Sequence, residues 1–254
     1  MNPVGPVFDV HVRLAPRPGA VADLLSTMDA TGIGRAAVAA GGVVDLDRLS
    51  AQITGGGGVR TDPDNAAVLR ACDASGGRLL PFYFANPHRP PERYRRDAHR
   101  YRGLELSPAV HGIGLDDRRT AACVAVAADA GHPVYVVCLG RPGARAGDLV
   151  SLARRFPATT FLFGHCGHIG IDTHGLSEIA PQPNIVAEAS GCLTVTARVA
   201  VQRLGPHRVL FGTEYPLQHP GVELAKFAAL DLAPGDWHQI AWINAHRLFG
   251  EDAP

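Results

Sequence analysis

The stretch 160–168, TFLFGHCGH, shows the pattern on which this chain is built. Its first part, Thr160–Gly164, is a short apolar run of the kind found in parallel strands that are buried on both faces. Two histidines, His165 and His168, follow at once. Functional side chains of α/β folds collect where parallel strands end. The stretch therefore predicts a buried strand that delivers polar side chains to a site.

Seven further segments repeat this pattern, and amphipathic helical segments separate them. The predicted strands are Val7–Val12, Arg35–Ala40, Leu79–Ala85, Gly103–Leu106, Pro133–Val137, Thr160–Gly164, Asn184–Ala187 and Val209–Phe211. The predicted helices are Ala20–Thr31, Asp64–Ala74, Glu92–Arg100, Thr120–Ala130, Gly147–Phe156, a short one near Leu176, Thr194–Leu204, Val222–Leu230 and a closing helix at Trp237–Phe249. Eight alternations in 254 residues favour an α/β fold of the (β/α)8 TIM-barrel type, a single domain over residues 1–254.

Composition excludes several classes of protein. The 24 basic and 24 acidic residues cancel, which argues against a nucleic-acid binder and favours a small-molecule partner. The longest apolar runs, of about eight residues, are too short to span a membrane, which takes ~20. The first residues lack the charged and apolar regions of a signal peptide, and the five cysteines show no disulfide framework. A cytoplasmic enzyme is expected.

Six of the eight predicted strand ends carry side chains suited to acid–base chemistry or metal binding. Because the carboxyl ends of barrel strands meet at one mouth, these side chains are expected to converge. Period-two alternation along strand 1 also places Asp9 on the same face as His11 and Arg13. The converging residues are His11 and Arg13 from strand 1, Glu105 from strand 4, Cys138 from strand 5, His165 and His168 from strand 6, Glu188 from strand 7 and Glu214 from strand 8.

Four motifs occur along the chain in a characteristic order, namely FDVH at 8–11, FGHCG at 163–167, RVLFGTEYP at 208–216 and NAHRLF at 244–249. Together they resemble the amidohydrolase superfamily, and in particular its amidohydrolase-related branch, which is similar to aminocarboxymuconate-semialdehyde decarboxylase. The resemblance implies a (β/α)8 barrel, a divalent metal at the strand ends, and hydrolase or decarboxylase activity. It also implies a homodimer.

The chain departs from this family at the metal ligands. The resemblance implies a His-x-His pair on strand 1, a His on strand 5, an Asp on strand 8, and a His on strand 6 as ligand or acid–base. Here Arg13, Cys138 and Glu214 replace three of these residues. Arg13 cannot be a ligand because its guanidinium has no free lone pair. The predicted ligands are His11, Cys138 and Glu214, and the thiolate favours zinc as the ion.

Three functions fit these departures. In the leading one, a rewired metal site activates water, His165 and Glu214 are catalytic, and the protein is a hydrolase for a small polar, anionic molecule. In the second, the protein is a non-hydrolytic decarboxylase, dehydratase or cyclase that works with or without metal and uses Arg13 and His165. In the third, the barrel is an inactive binding or scaffold subunit. The predicted substrate-binding residues are Arg13, Glu105, His168 and Glu188, and the glycine-rich segment 41–61 is expected to shape the pocket.

Overall fold

The strand–helix alternation of the sequence produces one closed sheet. A computed structural model describes residues 5–252, in which eight strands follow each other in chain order and each pairs in parallel with the next. The strands are β1 (Val7–Leu14), β2 (Ile33–Ala40), β3 (Leu79–Phe84), β4 (Gly103–Leu106), β5 (Val134–Val136), β6 (Phe161–Phe163), β7 (Ile185–Glu188) and β8 (Val209–Leu210). All eight predicted strands are confirmed, with ends that differ by up to two residues.

Backbone hydrogen bonds between β1 and the segment at the end of β8 close the barrel. The amide of Val10 donates to the Phe211 carbonyl at 3.0 Å, and the amide of Arg13 donates to the Tyr215 carbonyl at 2.7 Å. The amide of Glu214 donates in the opposite direction, to the His11 carbonyl at 2.9 Å. The predicted (β/α)8 barrel is therefore confirmed.

Helices connect the strands and cover the barrel. They are α1 (Ala20–Thr31), α2 (Leu46–Gly55), α3 (Asn65–Asp73), α4 (Glu92–Asp97), α5 (Pro108–His111), α6 (Arg118–Asp129), α7 (Ala146–Arg155), α8 (Thr173–Ile179), α9 (Thr194–Leu204), α10 (Pro220–Ala228), α11 (Pro234–His238) and α12 (Asn244–Leu248). A π-helical turn, Gln239–Ile243, joins α11 to α12. In the described part of the chain, no helix has the length and apolar character needed to cross a membrane.

The closing helix at the end of the chain covers the amino-terminal end of the barrel. Trp242 and Phe249 pack on Phe8 at the start of β1, with ring centroids 6.3 and 5.4 Å away. Phe249 also contacts Phe82 of β3 edge to face. This end is therefore filled by aromatic side chains, which leaves the carboxyl ends of the strands as the open mouth.

β1 departs from regular alternation in the part that enters the mouth. Its register against β2 shifts between Asp9 and Val12. Val12 packs among the outer apolar residues, while the Asp9 carboxylate accepts hydrogen bonds from the amides of His11 and Thr213, both at 3.0 Å. The shift brings His11 and Arg13 into the mouth together, and Asp9 instead ties β1 to the segment that follows β8.

Candidate active site

An alternating ring of four charged side chains lies at the mouth of the barrel. Arg13 Nη2 is 2.7 Å from Glu105 Oε1, and Arg13 Nε donates to Glu214 Oε1 at 2.6 Å. His11 Nδ1 is 2.6 Å from Glu214 Oε2, and His11 Nε2 is 3.6 Å from Glu105 Oε2. We call these four residues the ion-pair ring. All four were predicted to converge from strands 1, 4 and 8, and β1, β4 and the turn after β8 do bring them together.

Mutual attraction keeps the members of the ion-pair ring charged although the protein buries them. Burial alone would lower the pKa of His11, but the carboxylates of Glu214 and Glu105 outweigh it and raise this pKa to about 10. Burial likewise opposes ionisation of both carboxyls, yet Arg13 and His11 lower the pKa of each below its usual range. Removing one member would leave an unpaired buried charge, which is strongly destabilising.

Two side chains of the site belong to residues whose backbone has a left-handed conformation. His165 follows β6 with φ 60°, and Glu214 follows β8 with φ 59°. Residues other than glycine rarely adopt positive φ, and where they do, surrounding contacts hold them in place, often at functional sites. Here the amide of His165 donates to Glu188 Oε2 at 3.1 Å, and the amide of Glu214 donates to the His11 carbonyl. These bonds support the orientation of both side chains.

His165 is more exposed than the ion-pair ring beside it, with 21% of its side chain accessible against 13% for Arg13 and 10% for Glu214. Its Nδ1 lies 3.2 Å from the Ser190 carbonyl oxygen and 3.0 Å from Ser190 Oγ. Because a carbonyl oxygen only accepts, we assign a hydrogen to Nδ1. Nε2 lies 3.4 Å from Glu214 Oε2. Both ring nitrogens face oxygen acceptors, so the ring can carry a proton on each.

Glu188 lies behind His165 and is fully buried. Its carboxylate accepts hydrogen bonds from the Tyr135 hydroxyl at 2.7 Å, the Ser190 amide at 2.6 Å, the Ser190 hydroxyl at 2.9 Å and the His165 amide. All four partners donate, three of them to Oε2 and one to Oε1, so these bonds fix the orientation of the Glu188 carboxyl group. Glu188 and Glu105, both predicted to bind substrate, are 0% exposed and do not line the cavity described below.

One group of metal-ligand atoms occurs within residues 5–252. His11, His165 and Glu188 each place one such atom within 4.8 Å of the others, a spacing that could hold a divalent ion. However, His11 already pairs with Glu214, and Glu188 already accepts four hydrogen bonds. Arg13 also adds a fixed positive charge to the ion-pair ring, and like charges repel strongly in a buried site. In this arrangement Glu214 and the donors around Glu188 already contact these ligand atoms, so an ion would have to displace those contacts.

Two further predicted residues lie on the cavity wall outside the ion-pair ring. Cys138, a predicted ligand, is 2% exposed, and burial raises the pKa of its thiol far above the usual range. A thiol that keeps its proton is a poor metal ligand, and Cys138 lies outside the three-ligand group. The His168 ring lies against Gly140, where an added β-carbon would come within 2.8 Å of it. His168 lines the cavity but forms no ion pair with a described residue.

Sequence reasoning missed Tyr135 and Ser190. The Tyr135 ring stacks on His11 with centroids 3.8 Å apart and planes 11° from parallel, and its hydroxyl reaches Glu188. Ser190 orients His165 through Nδ1. Tyr135 could have been found, because its hydroxyl group stands out within the apolar run of strand 5 and a buried hydroxyl needs a hydrogen-bond partner. No local pattern marks Ser190, because its role depends on where β6 and β7 lie relative to each other.

The loop that holds Ser190 is anchored by Lys226, the only lysine in the sequence. Its Nζ donates to the carbonyls of Ala189 at 2.6 Å and Cys192 at 3.1 Å, and it forms an ion pair with buried Glu223. Glu223 Oε1 in turn accepts from the amide of Gly191 at 3.2 Å. This buried pair on α10 therefore holds the backbone on both sides of Ser190.

A cavity of about 640 Å³ opens beside the ion-pair ring at the mouth of the barrel. Arg13, His165 and Glu214 form one charged group on its wall. The other walls are mainly apolar, which differs from the predicted pocket for a small polar molecule. The segment 41–61 does shape the cavity, as predicted, through residues 41–46, Leu49 and Ile53.

The segment 41–61 contains a helix, α2, which the glycine run concealed from sequence reasoning. Asp45 caps its first turn by accepting from the Arg48 amide at 2.9 Å. Gln52 of α2 donates to the Ala109 carbonyl in α5 at 2.7 Å. An added β-carbon at Gly58 would collide with the His111 carbonyl, so this approach of the two backbones requires glycine. The segment is thus joined to the short helix α5.

Acid is expected to weaken this junction through His111, which is 1% exposed and lies 3.3 Å from the Thr61 carbonyl through Nε2. Burial lowers the pKa of His111 from 6.5 to about 4. Between these values the unfolded chain binds a proton that the folded chain does not, so the free energy of unfolding falls as pH falls. We expect His111 to contribute roughly 2 kcal/mol of this loss between pH 7 and pH 5.

Urea unfolding of the wild type and of His111→Gln at pH 7, 6 and 5 measures this contribution. The variant keeps an amide that can donate to Thr61 but has no titrating ring, so its stability should fall less steeply. Protonation of Glu105 and Glu214, whose pKa values are lowered, also reduces the free energy of unfolding in acid. Because both proteins contain these residues, this reduction cancels when the two are compared. Parallel curves for the two proteins would contradict the prediction.

Comparison with known proteins agrees with this architecture. Residues 10–250 match the model of the amidohydrolase family, while no curated protein matches the chain. The 2,6-dihydroxybenzoate decarboxylase from Rhizobium superposes with a TM-score of 0.71 at 16% identity, over 97% of this chain and 99% of that chain.

Two further solved structures have the same fold. The 5-carboxyvanillate decarboxylase from Novosphingobium aromaticivorans, solved with manganese and 4-hydroxy-3-methoxy-5-nitrobenzoic acid, has a TM-score of 0.72 at 17% identity over 96% of each chain. An uncharacterized TIM-barrel protein from Bordetella bronchiseptica has a TM-score of 0.74 at 18% identity, over 97% of this chain and 99% of that chain. Similar structures thus include enzymes, in line with the prediction of a hydrolase or lyase. The family match covers nearly the whole barrel, and the chain therefore belongs to the amidohydrolase family.

Proposed function

We propose that the protein is a lyase that removes a carboxyl group, as CO₂, from an organic acid with an apolar body. One observation carries the proposal: His165 Nε2 and the guanidinium of Arg13 both lie beside Glu214 on the wall of a mainly apolar cavity. A proton donor and a fixed positive charge thus lie next to each other where an acid would enter. Two similar structures are decarboxylases of aromatic acids, which supports the same class of reaction.

His165 would donate the proton. Its Nδ1–H is held by Ser190, and a proton on Nε2 faces the cavity beside Glu214. In the proposed step the carbon that bears the carboxylate is unsaturated, and its π electrons take this proton to form a new C–H bond. The bond from that carbon to the carboxylate then breaks, its electron pair restores the π system, CO₂ leaves, and a proton from the solvent returns to His165. A positioned acid of this kind contributes about 10²–10⁴-fold to a rate.

Arg13 would hold the carboxylate of the substrate. Its Nε and Nη2 are used by Glu214 and Glu105, while Nη1 has no hydrogen-bond partner among residues 5–252. Arg13 also lines the cavity, so its Nη1 edge is available to an acidic oxygen. A divalent ion such as zinc, which would polarise an oxygen of the substrate, is not needed for this step, because Arg13 supplies the positive charge.

Isotope labelling tests the proposal. A panel of hydroxybenzoates and alkylbenzoates is incubated with the protein in D₂O and, separately, in H₂¹⁸O, and the products are analysed by mass spectrometry. A decarboxylase yields a product without the carboxyl group that carries one deuterium at the vacated carbon and no ¹⁸O. Phenyl esters of the same acids, incubated in H₂¹⁸O, test the predicted hydrolase, whose acid product would carry ¹⁸O.

Chelation provides the matching control for the metal. We expect the rate to stay within twofold after dialysis against EDTA, because no step of the proposal depends on an ion. A rate that is lost on dialysis and restored by zinc or manganese would contradict the proposal and support the rewired metal site.

A further inference from the structure

The cavity extends well beyond the groups that the proposed reaction uses. Its volume of about 640 Å³ lies within the range of ~300–1,000 Å³ typical of sites for drug-sized ligands. Arg13, His165 and Glu214 form one charged group on its wall, and Asp45 lines it separately, at the start of α2. A single-ring acid would bind at the charged group and leave most of the apolar wall in contact with water, which is unfavourable.

Apolar side chains continue from this wall to the surface. Leu46 is 62% exposed, Ile169 is 75% exposed and Leu217 is 50% exposed, and all three also line the cavity. They come from the loops after β2, β6 and β8, so they surround the opening from separate directions. Exposed apolar groups next to a cavity are typical of a site that binds an apolar ligand. We call these three residues the rim.

Helix α2 connects the rim to the interior. Leu46 is its first residue, and Leu49 and Ile53 follow at spacings of three and seven, which places all three on one face of the helix. Leu49 and Ile53 pack against the cluster that includes Leu139, together with Val137 at the end of β5. An apolar path therefore runs from the solvent along α2 into the cavity.

We propose that the substrate is an amphiphilic acid, whose acidic group lies at Arg13 and whose alkyl chain or second ring lies along α2 and ends at the rim. The placement of the acidic group rests on the proposed function. The apolar part of the inference rests only on the cavity wall and the rim, so binding can test it without turnover.

A series of 4-alkylbenzoates, from benzoate to the octyl compound, measures this preference by isothermal titration calorimetry below the micelle concentrations. Each methylene group buried against the wall should lower the Kd by about 3- to 4-fold. The decrease should stop once the chain passes the rim, because further carbons remain in water. A Kd that does not change along the series would overturn the inference.

Rim variants locate the chain. Ile169→Ser and Leu217→Ser should each raise the Kd of the octyl compound by about 5- to 10-fold and leave that of benzoate unchanged. Leu193→Ser is the matched control, because Leu193 is 51% exposed on the neighbouring loop after β7 and does not line the cavity. Equal effects of the rim and control variants would overturn the inference. The inference is also overturned if the Kd values stay constant along the series and the rim substitutions change the molar mass of the protein in solution. The rim would then be a contact between copies of the chain.

The two proposals fail in different ways. Chain-dependent binding without any decarboxylation would support the amphiphile site and contradict the proposed reaction. Decarboxylation of benzoates at rates and affinities independent of chain length would support the reaction and overturn the amphiphile site.

Discussion

Replacing His165 by asparagine is expected to lower kcat for the acid identified by labelling by about 10³-fold. Asparagine can still donate to Ser190, but it has no group that releases a proton near neutral pH. Because Arg13 and the apolar wall remain, the Kd of the acid should change by less than about 3-fold. The effect should thus fall on the chemical step rather than on binding.

Stopped-flow or initial-rate kinetics, combined with calorimetry on the same preparations, measures both quantities. His168→Asn is the matched control, since His168 lines the same cavity but forms no ion pair with a described residue. If His168 binds substrate, as the sequence predicted, its variant should raise KM while kcat stays within about 5-fold. A His165→Asn variant that keeps kcat within tenfold of wild type would contradict the assigned role.

Replacing Arg13 by methionine is expected to lower the free energy of unfolding by about 3–5 kcal/mol at pH 7, because a buried ion pair that loses one partner leaves an uncompensated charge. Glu105, which is 0% exposed, would keep only His11, at 3.6 Å. Urea unfolding at pH 7 measures the loss. Arg17→Met is the control, since Arg17 pairs with Asp23 on the surface and should cost less than about 1 kcal/mol.

A second exchange at the same position tests whether the guanidinium takes the place of a metal. Arg13→His creates the His-x-His pair that the resemblance implies and frees Glu105 and Glu214 from the guanidinium. After dialysis against manganese and then metal-free buffer, we expect this variant to retain about one ion per chain, and the wild type less than a tenth of that amount. Stoichiometric manganese in the wild type would contradict the proposed role of Arg13.

Several parts of the fold were predictable because their signals are local. A buried parallel strand must be apolar on both faces, so β6 and its neighbours stand out as short continuous runs. Helix α2 was missed although Asp45 and the spacing of Leu46, Leu49 and Ile53 indicate a helix, because the glycine run at its end resembles a loop. The break in alternation within β1 has no local signal, since it depends on pairing with β2.

For the site, the sequence by itself determined that His11, Arg13, His165 and Glu214 come from strand ends, and the carboxyl ends of barrel strands meet at one mouth. It also shows Arg13, Cys138 and Glu214 at positions where the resemblance implies metal ligands of other types. Only the tertiary structure decided how these residues combine. Arg13 and Glu214 are 201 residues apart in the chain, and their contact in the ion-pair ring exists because hydrogen bonds join β1 to the end of β8. Charge pairing acts over a few ångströms in space, and spacing along the chain does not record it.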